Sequence, residues 1–174
     1  MRPDRVIVGE VRTPEELSAL IDTILSGQAR GSYATFHAQS GIEALRRMNS
    51  LGIMDIDLRS IDVLLVQRRM MKYDIKTHKM TEIRRVIEIS EVEKEKSMAI
   101  KPLVKYDFEK DRWTVNYRTS ALLERVRKSL GLRKTDLENE LKKRTRFLKN
   151  NLRKKLQFND SVDLIQKFAY GSKG

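Results

Sequence analysis

Residues 4–16 read Asp4-Arg5-Val6-Ile7-Val8-Gly9-Glu10-Val11-Arg12-Thr13-Pro14-Glu15-Glu16, and the fold is decided there. A short β-branched run closed by glycine predicts a buried strand over Val6–Val8. Thr13 then offers an N-cap oxygen, Pro14 suits the first helical position, and Glu16 completes a capping box. The helix so opened presents Leu17, Leu20, Ile21 and Ile24 on one face and stops near Gly27. Tyr33 to His37 forms a second strand candidate after Gly31. The β–α–β–α–β order through Arg69 predicts an α/β layer with a parallel component.

Working outward, Ser40 and Glu43 make another capping box, and the helix behind it turns Ile42, Leu45 and Met48 inward. Asp62 to Arg69 reads as a strand so continuously apolar that burial on both faces is expected. Its partner is Lys79 to Glu91, with Lys72 to His78 as a polar connection. Leu103–Phe108 and Trp113–Tyr117 flank Glu109–Arg112 as a β-hairpin. Three helices follow: Ser120 to Leu130, Thr135 to about Leu156 with a Thr135/Glu138 box, and Ser161 to Tyr170. The expected fold is therefore α/β: a mixed sheet with a parallel component, then a β-hairpin and a three-helix appendage. The boundary falls near Asn116–Thr119, giving residues 1–117 and 118–174.

With 174 residues and 40% hydrophobic content, the chain can build a packed core and is not compositionally disordered. No stretch reaches the roughly 18 consecutive apolar residues of a membrane span, and the first ten residues lack a signal-peptide pattern. A cytoplasmic protein is expected, peripheral to the inner face of a membrane where its charge takes it there. Cysteine is absent, which removes disulfides and thiolate metal sites. The net charge of +12 suits an anionic surface or a nucleic acid, and equally a solvated basic exterior.

Two segments can carry chemistry. A carboxylate at the tip of a buried strand, Glu10, projects into the crevice where α/β sheets bind ligands, and Gly9 before it allows a tight turn with room for a phosphate. Such a group can orient a water or hold one on Mg²⁺; the bland alternative is a solvated glutamate ahead of a helix. In Ala34-Thr35-Phe36-His37-Ala38, Thr35 and His37 lie two residues apart on one strand face, where an imidazole can both donate and accept. Its bland alternative is a histidine satisfied by a backbone carbonyl. His78 has no companion at ligand spacing, so a direct metal site is not expected.

Arg2-Pro3-Asp4-Arg5-Val6-Ile7-Val8-Gly9-Glu10-Val11-Arg12 resembles the Walker B segment of the type II/type IV secretion and pilus-motor ATPases, nearest their archaeal branch. Ala34-Thr35-Phe36-His37-Ala38-Gln39-Ser40 is similar to the histidine box of that family, at the family's spacing. The helix bearing Arg46-Arg47, the strand from Asp62 to Arg69, Arg84–Ile89 and the closing helices extend the similarity over essentially the whole chain. The resemblance implies the carboxyl-terminal part of a RecA-like P-loop motor domain. It implies a hexamer that uses ATP and Mg²⁺ to drive secretion or filament assembly with a membrane platform protein. Carried over by position, Glu10 is the catalytic carboxylate and His37 the residue near the terminal phosphate. Gly9, Arg12 and Thr35 lie near the nucleotide, and Mg²⁺ is reached by Glu10 only through water.

The chain departs from that pattern in three ways. No G-x-x-x-x-G-K-[ST] occurs in it, the family's preceding acidic box is missing, and Gln28 stands where many members have the histidine of a Gly-His pair. Without the phosphate cradle the expectation is negligible ATPase activity and no nucleotide held by these residues alone, as for a truncated, split or excised motor. Apolar surface uncovered by the missing strand favours self-association. The alternative is a non-enzymatic module that binds motor subunits, an acidic membrane surface or nucleic acid. Nucleic acid is the weaker partner: Lys142, Lys143, Arg144, Arg146, Lys149, Arg153, Lys154 and Lys155 wrap the long helix rather than line one face. A solvated exterior accounts for them, with anionic lipid as the competing reading.

Overall fold

The structure, a computed structural model, describes residues 5–27 and 31–171. It divides into two compact units, Met1–Arg125 and Val126–Gly174.

In the first unit, β1 (Val6–Val8) and β2 (Ser32–Ala34) pair in parallel, with Val6, Ile7 and Val8 opposite Ser32, Tyr33 and Ala34. Between them runs α1 (Pro14–Leu25), opened by the full Thr13/Glu16 box with Pro14 in its first turn, and burying Leu17, Leu20 and Ile21 at helical spacing. α2 (Gly41–Ser50) buries Ala44, Leu45 and Met48. Ser40 Oγ accepts from the Glu43 amide at 3.2 Å, but the Glu43 carboxylate reaches back to the Gln39 amide at 3.1 Å. The box is thus displaced by one residue. Gly41 packs closely: a Cβ there would stand 2.5 Å from Glu88 Oε1 and 3.3 Å from Ile100 Cδ1, so those side-chain ends would have to shift. A four-residue helix, α3 (Asp55–Leu58), lacks the periodicity that announces a helix and was not expected. Leu17, Leu45, Leu58 and Val11 are fully buried at the centre of one core, which Val8, Phe36 and Leu64 join from its margin.

The expected mixed sheet is two sheets. β3 (Val63–Asp74), β4 (Lys79–Val92), β5 (Ile100–Asp107) and β6 (Arg112–Val115) form a separate antiparallel sheet in that order, so the hairpin β5–β6 is its far edge rather than an appendage. β3 is not buried on both faces: Leu65 is 58% exposed and Val63 also lies open, while Val66 is buried. The strand also outruns its apolar stretch, because alternating Met71 and Tyr73 continue the pairing opposite Glu82 and Met80. Lys72 and Asp74 therefore belong to the strand and not to the connection.

Helix α4 (Ala121–Ser129) begins within the first unit. Its first turn is capped from outside: Glu91, 4% exposed at the end of β4, accepts from the Ala121 and Leu122 amides, both at 2.9 Å, and from the Ser120 hydroxyl. These amides have no intrahelical partner, and the helix dipole favours the negative charge.

In the second unit, α5 (Lys134–Asn151) starts one residue before the expected cap. Asp136 accepts from the Arg133 amide and guanidinium, all at 3.0 Å, and so replaces the Thr135/Glu138 box. α6 (Phe158–Tyr170) follows, with Phe147 and Phe168 stacked at 4.0 Å between ring centroids. Among the described residues no helix is long and apolar enough to cross a membrane.

The buried cap carries a prediction. Glu91→Ala leaves two amides and a hydroxyl without an acceptor and lowers stability by about 2–3 kcal/mol. Urea unfolding followed by Trp113 fluorescence measures this; an unchanged midpoint would remove Glu91 from the account.

Candidate functional site

The carboxyl ends of β1 and β2 emerge side by side. Beyond the last ladder pair the Val11 amide still donates to the Thr35 carbonyl at 2.9 Å, and Thr35 Oγ1 donates to the Gly9 carbonyl. These two bonds carry the chains forward together, and the side chains that follow meet. His37 Nε2 lies 2.6 Å from Glu10 Oε1, and the Arg12 guanidinium donates to Glu10 Oε2. The Arg12 amide is itself held by Glu16 Oε2 at 2.8 Å, which ties the loop to the first turn of α1.

All five residues singled out in the sequence fall within this cluster, though not all as expected. Glu10, Arg12 and His37 are in contact through their side chains. Thr35 faces Gly9 rather than the acid, and its hydroxyl is spent on a carbonyl. Strand β2 ends at Ala34, so His37 sits past the strand, where its side chain is 82% exposed. The carbonyl-satisfied histidine does not describe it. Gly9 is not needed for local packing: its φ lies outside the left-handed region, and a Cβ there would meet nothing within 4 Å. Gln28 lies outside the described residues.

Arg47 was not singled out as a site residue. Its guanidinium donates to the His37 carbonyl and lies over the Phe36 ring, 5.3 Å from the centroid. Arg47 thereby fastens the turn that carries the imidazole to α2. No local pattern gives this away, because the contact depends on how α2 packs beside the end of β2.

Glu10 is the electrostatic centre. The Arg12 hydrogen bond, with a smaller contribution from His37, holds its carboxyl below the usual carboxylate range despite partial removal from water. Glu10 in turn raises Arg12. The cluster therefore presents an ionised carboxylate at neutral pH, beside an imidazole that can donate to it. It can accept a proton from, or orient, a water.

The sign of the pH dependence follows. A carboxyl whose folded pKa is depressed stabilises the fold above the ordinary glutamate value of about 4.3, and loses that contribution as pH falls through the folded pKa. Arg12→Ala is expected to move the Glu10 titration upward, as read by ¹³C NMR of the side-chain carboxyl. An unmoved titration would contradict the Arg12 contact.

The family model described as type II/IV secretion system protein matches residues 1–157. An uncharacterized protein of Methanocaldococcus jannaschii is 30% identical over 181 aligned positions, covering 99% of this chain and 63% of the relative. The chain thus spans less than two thirds of that relative's length. With Glu10 and His37 inside the matched region, the chain belongs to the type II/IV secretion system protein family.

Proposed function

We propose that this chain is the carboxyl-terminal part of the motor domain of a secretion or pilus-assembly ATPase, completed by a segment that carries the phosphate loop. The observation that carries this reading is the 2.6 Å contact between Glu10 and His37 at the adjacent ends of two parallel strands. In the completed motor Glu10 accepts the proton of the attacking water. His37 stands beside the terminal phosphate, where its contact with Glu10 registers whether that phosphate is present. Arg12, Thr35 and Gly9 line the nucleotide side, and Mg²⁺ meets Glu10 through water. The intact assembly is a hexamer, hydrolysing ATP against a membrane platform protein. Residues 1–117 form the motor portion and 118–174 its helical appendage.

A RecA-like sheet needs the phosphate-loop strand in the same layer. Among the described residues β2 and β3 each have one unpaired edge, and Phe36, just past β2, and Leu64 of β3 pack on the same core. One strand seated between them would join the two sheets into the single mixed sheet that a motor of this kind uses. A helix following that strand would give Ile7 and Tyr33, opposite each other in the register and 77% and 59% exposed, the cover that a parallel sheet ordinarily has on both faces.

The test joins the full chain to a phosphate-loop segment of a type II/IV secretion ATPase and measures ATP hydrolysis. Hydrolysis is expected only in the joined protein, and Glu10→Gln is expected to lower its kcat by about 10²–10⁴. A joined enzyme indifferent to that substitution would take the catalytic role from Glu10. Tight ATP binding by the chain alone would overturn its dependence on the added segment.

A further inference from the structure

Residues 71–82 are exposed without exception, and they form the outer end of the β3–β4 hairpin. β4 pairs with β5 only from Glu88 onward, so this end is a two-stranded ribbon with no third strand beside it. It is also two-faced. Met71 and Tyr73 share one face by alternation, and Met80 joins them opposite Tyr73; Lys72, Thr81 and Lys79 share the other. Ile75, at the turn, is 78% exposed. The β5–β6 hairpin reaches it through Asp111 on Lys72, yet Met71, Tyr73 and Met80 each stay more than half exposed.

Charge decides what covers it. From Arg68 to Arg85 the hairpin carries seven cations against Asp74 and Glu82. Both acids are engaged locally: Asp74 Oδ1 accepts from the Lys76 and Thr77 amides at 2.8 and 3.3 Å, and Glu82 pairs with Arg69 at 2.5 Å. Lys72 is held by Asp111, whereas Lys76 and Lys79 make no ion pair among the described residues. A second copy would bring the same cations together and is disfavoured.

We propose that this ribbon end docks on an anionic lipid surface. The cations nearest the turn are all lysines, hydrated point charges on flexible stems that suit a diffuse layer of headgroups. The fixed fork of arginine, which would read a protein carboxylate, is confined to the base of the hairpin. Met71, Met80 and Tyr73 are side chains that adapt to an interface without a shaped socket, and Ile75 leads at the tip. Tyr73 Oη is tied to His78 Nδ1 at 2.9 Å, which closes the turn and fixes the apolar face.

The experiment is cosedimentation of the full chain with vesicles of phosphatidylcholine containing phosphatidylglycerol, and with phosphatidylcholine alone. Binding is expected only to the anionic vesicles and is expected to be lost in high salt. Lys76→Glu with Lys79→Glu should weaken it by about a hundredfold, and Ile75→Ser by roughly tenfold. Because these side chains are exposed, circular dichroism should stay unchanged. Lys142→Glu with Lys143→Glu, on α5, should leave vesicle binding intact. Equal binding by the hairpin variants and the parent, or loss on changing α5 instead, overturns the proposal. So does unaltered vesicle binding accompanied by weakened binding to polyglutamate, which would assign the ribbon to an acidic protein.

Discussion

The register of three residue pairs between β1 and β2 governs the rest of the site. Val8 opposite Ala34 brings the two chain ends out side by side, and the turns beyond them bring Glu10 and His37 into contact. A slip of one residue would turn every side chain of β2 to the other face and part the acid from the imidazole. Such short strands cannot hold a register through their ladder alone. It is fixed by what surrounds them: the Val11–Thr35 and Val6–Gly31 backbone bonds at either end, the Thr35 hydroxyl on Gly9, and α1 packed through Leu17, Leu20 and Ile21. The site is thus a consequence of crossover packing, with the chemistry placed by apolar side chains that take no part in it.

What could be read in the sequence follows the range of the forces involved. The start of α1 was legible because its cap, its proline and its apolar stripe lie within a dozen residues and agree with one another. A parallel component was legible in the alternation of strands and helices. The separation into two sheets was not legible, since whether β3 joins β2 depends on contacts between segments far apart in the chain. The reading of β3 failed for a related reason. Val63, Leu64, Leu65 and Val66 look alike as a composition, yet only the side chains facing α2 and the shared core are covered. Arg133 and Asp136 displaced the expected Thr135 cap because a guanidinium–carboxylate pair closes the first turn two residues earlier. For Arg47 there was no signal beyond its place in a family-like segment.

Apolar exposure in the first unit is not scattered. Ile7 and Tyr33 lie opposite one another on the parallel pair, Val63 and Leu65 lie on one face of β3, and Met71, Tyr73 and Met80 lie on one face of the hairpin end. The first two groups adjoin strands with unpaired edges, where backbone donors and acceptors await a partner as well. The third lies at the outer end of a hairpin and is surrounded by cations. Uncovered apolar surface beside an open ladder calls for another strand; the same surface at the end of a basic ribbon calls for something without a ladder. One exposed composition therefore divides into two requirements by its backbone context.

Two glutamates stand at the ends of strands, and the difference between them argues for which one can act. Glu91 is 4% exposed, and its two oxygens accept two amides and a hydroxyl at a helix start, so releasing it would strand the buried Ser120 hydroxyl and two part-buried amides. Glu10 keeps 27% of its side chain exposed. Its partners Arg12 and His37 are 73% and 82% exposed, so water can replace either of them without leaving it unsatisfied. Each carboxylate oxygen also retains capacity beyond the one bond it accepts from these side chains. A carboxylate open to exchange with water or a proton needs partners that can be replaced at little cost. Glu10 has them, and Glu91, the better-bonded acid, is structural for that very reason.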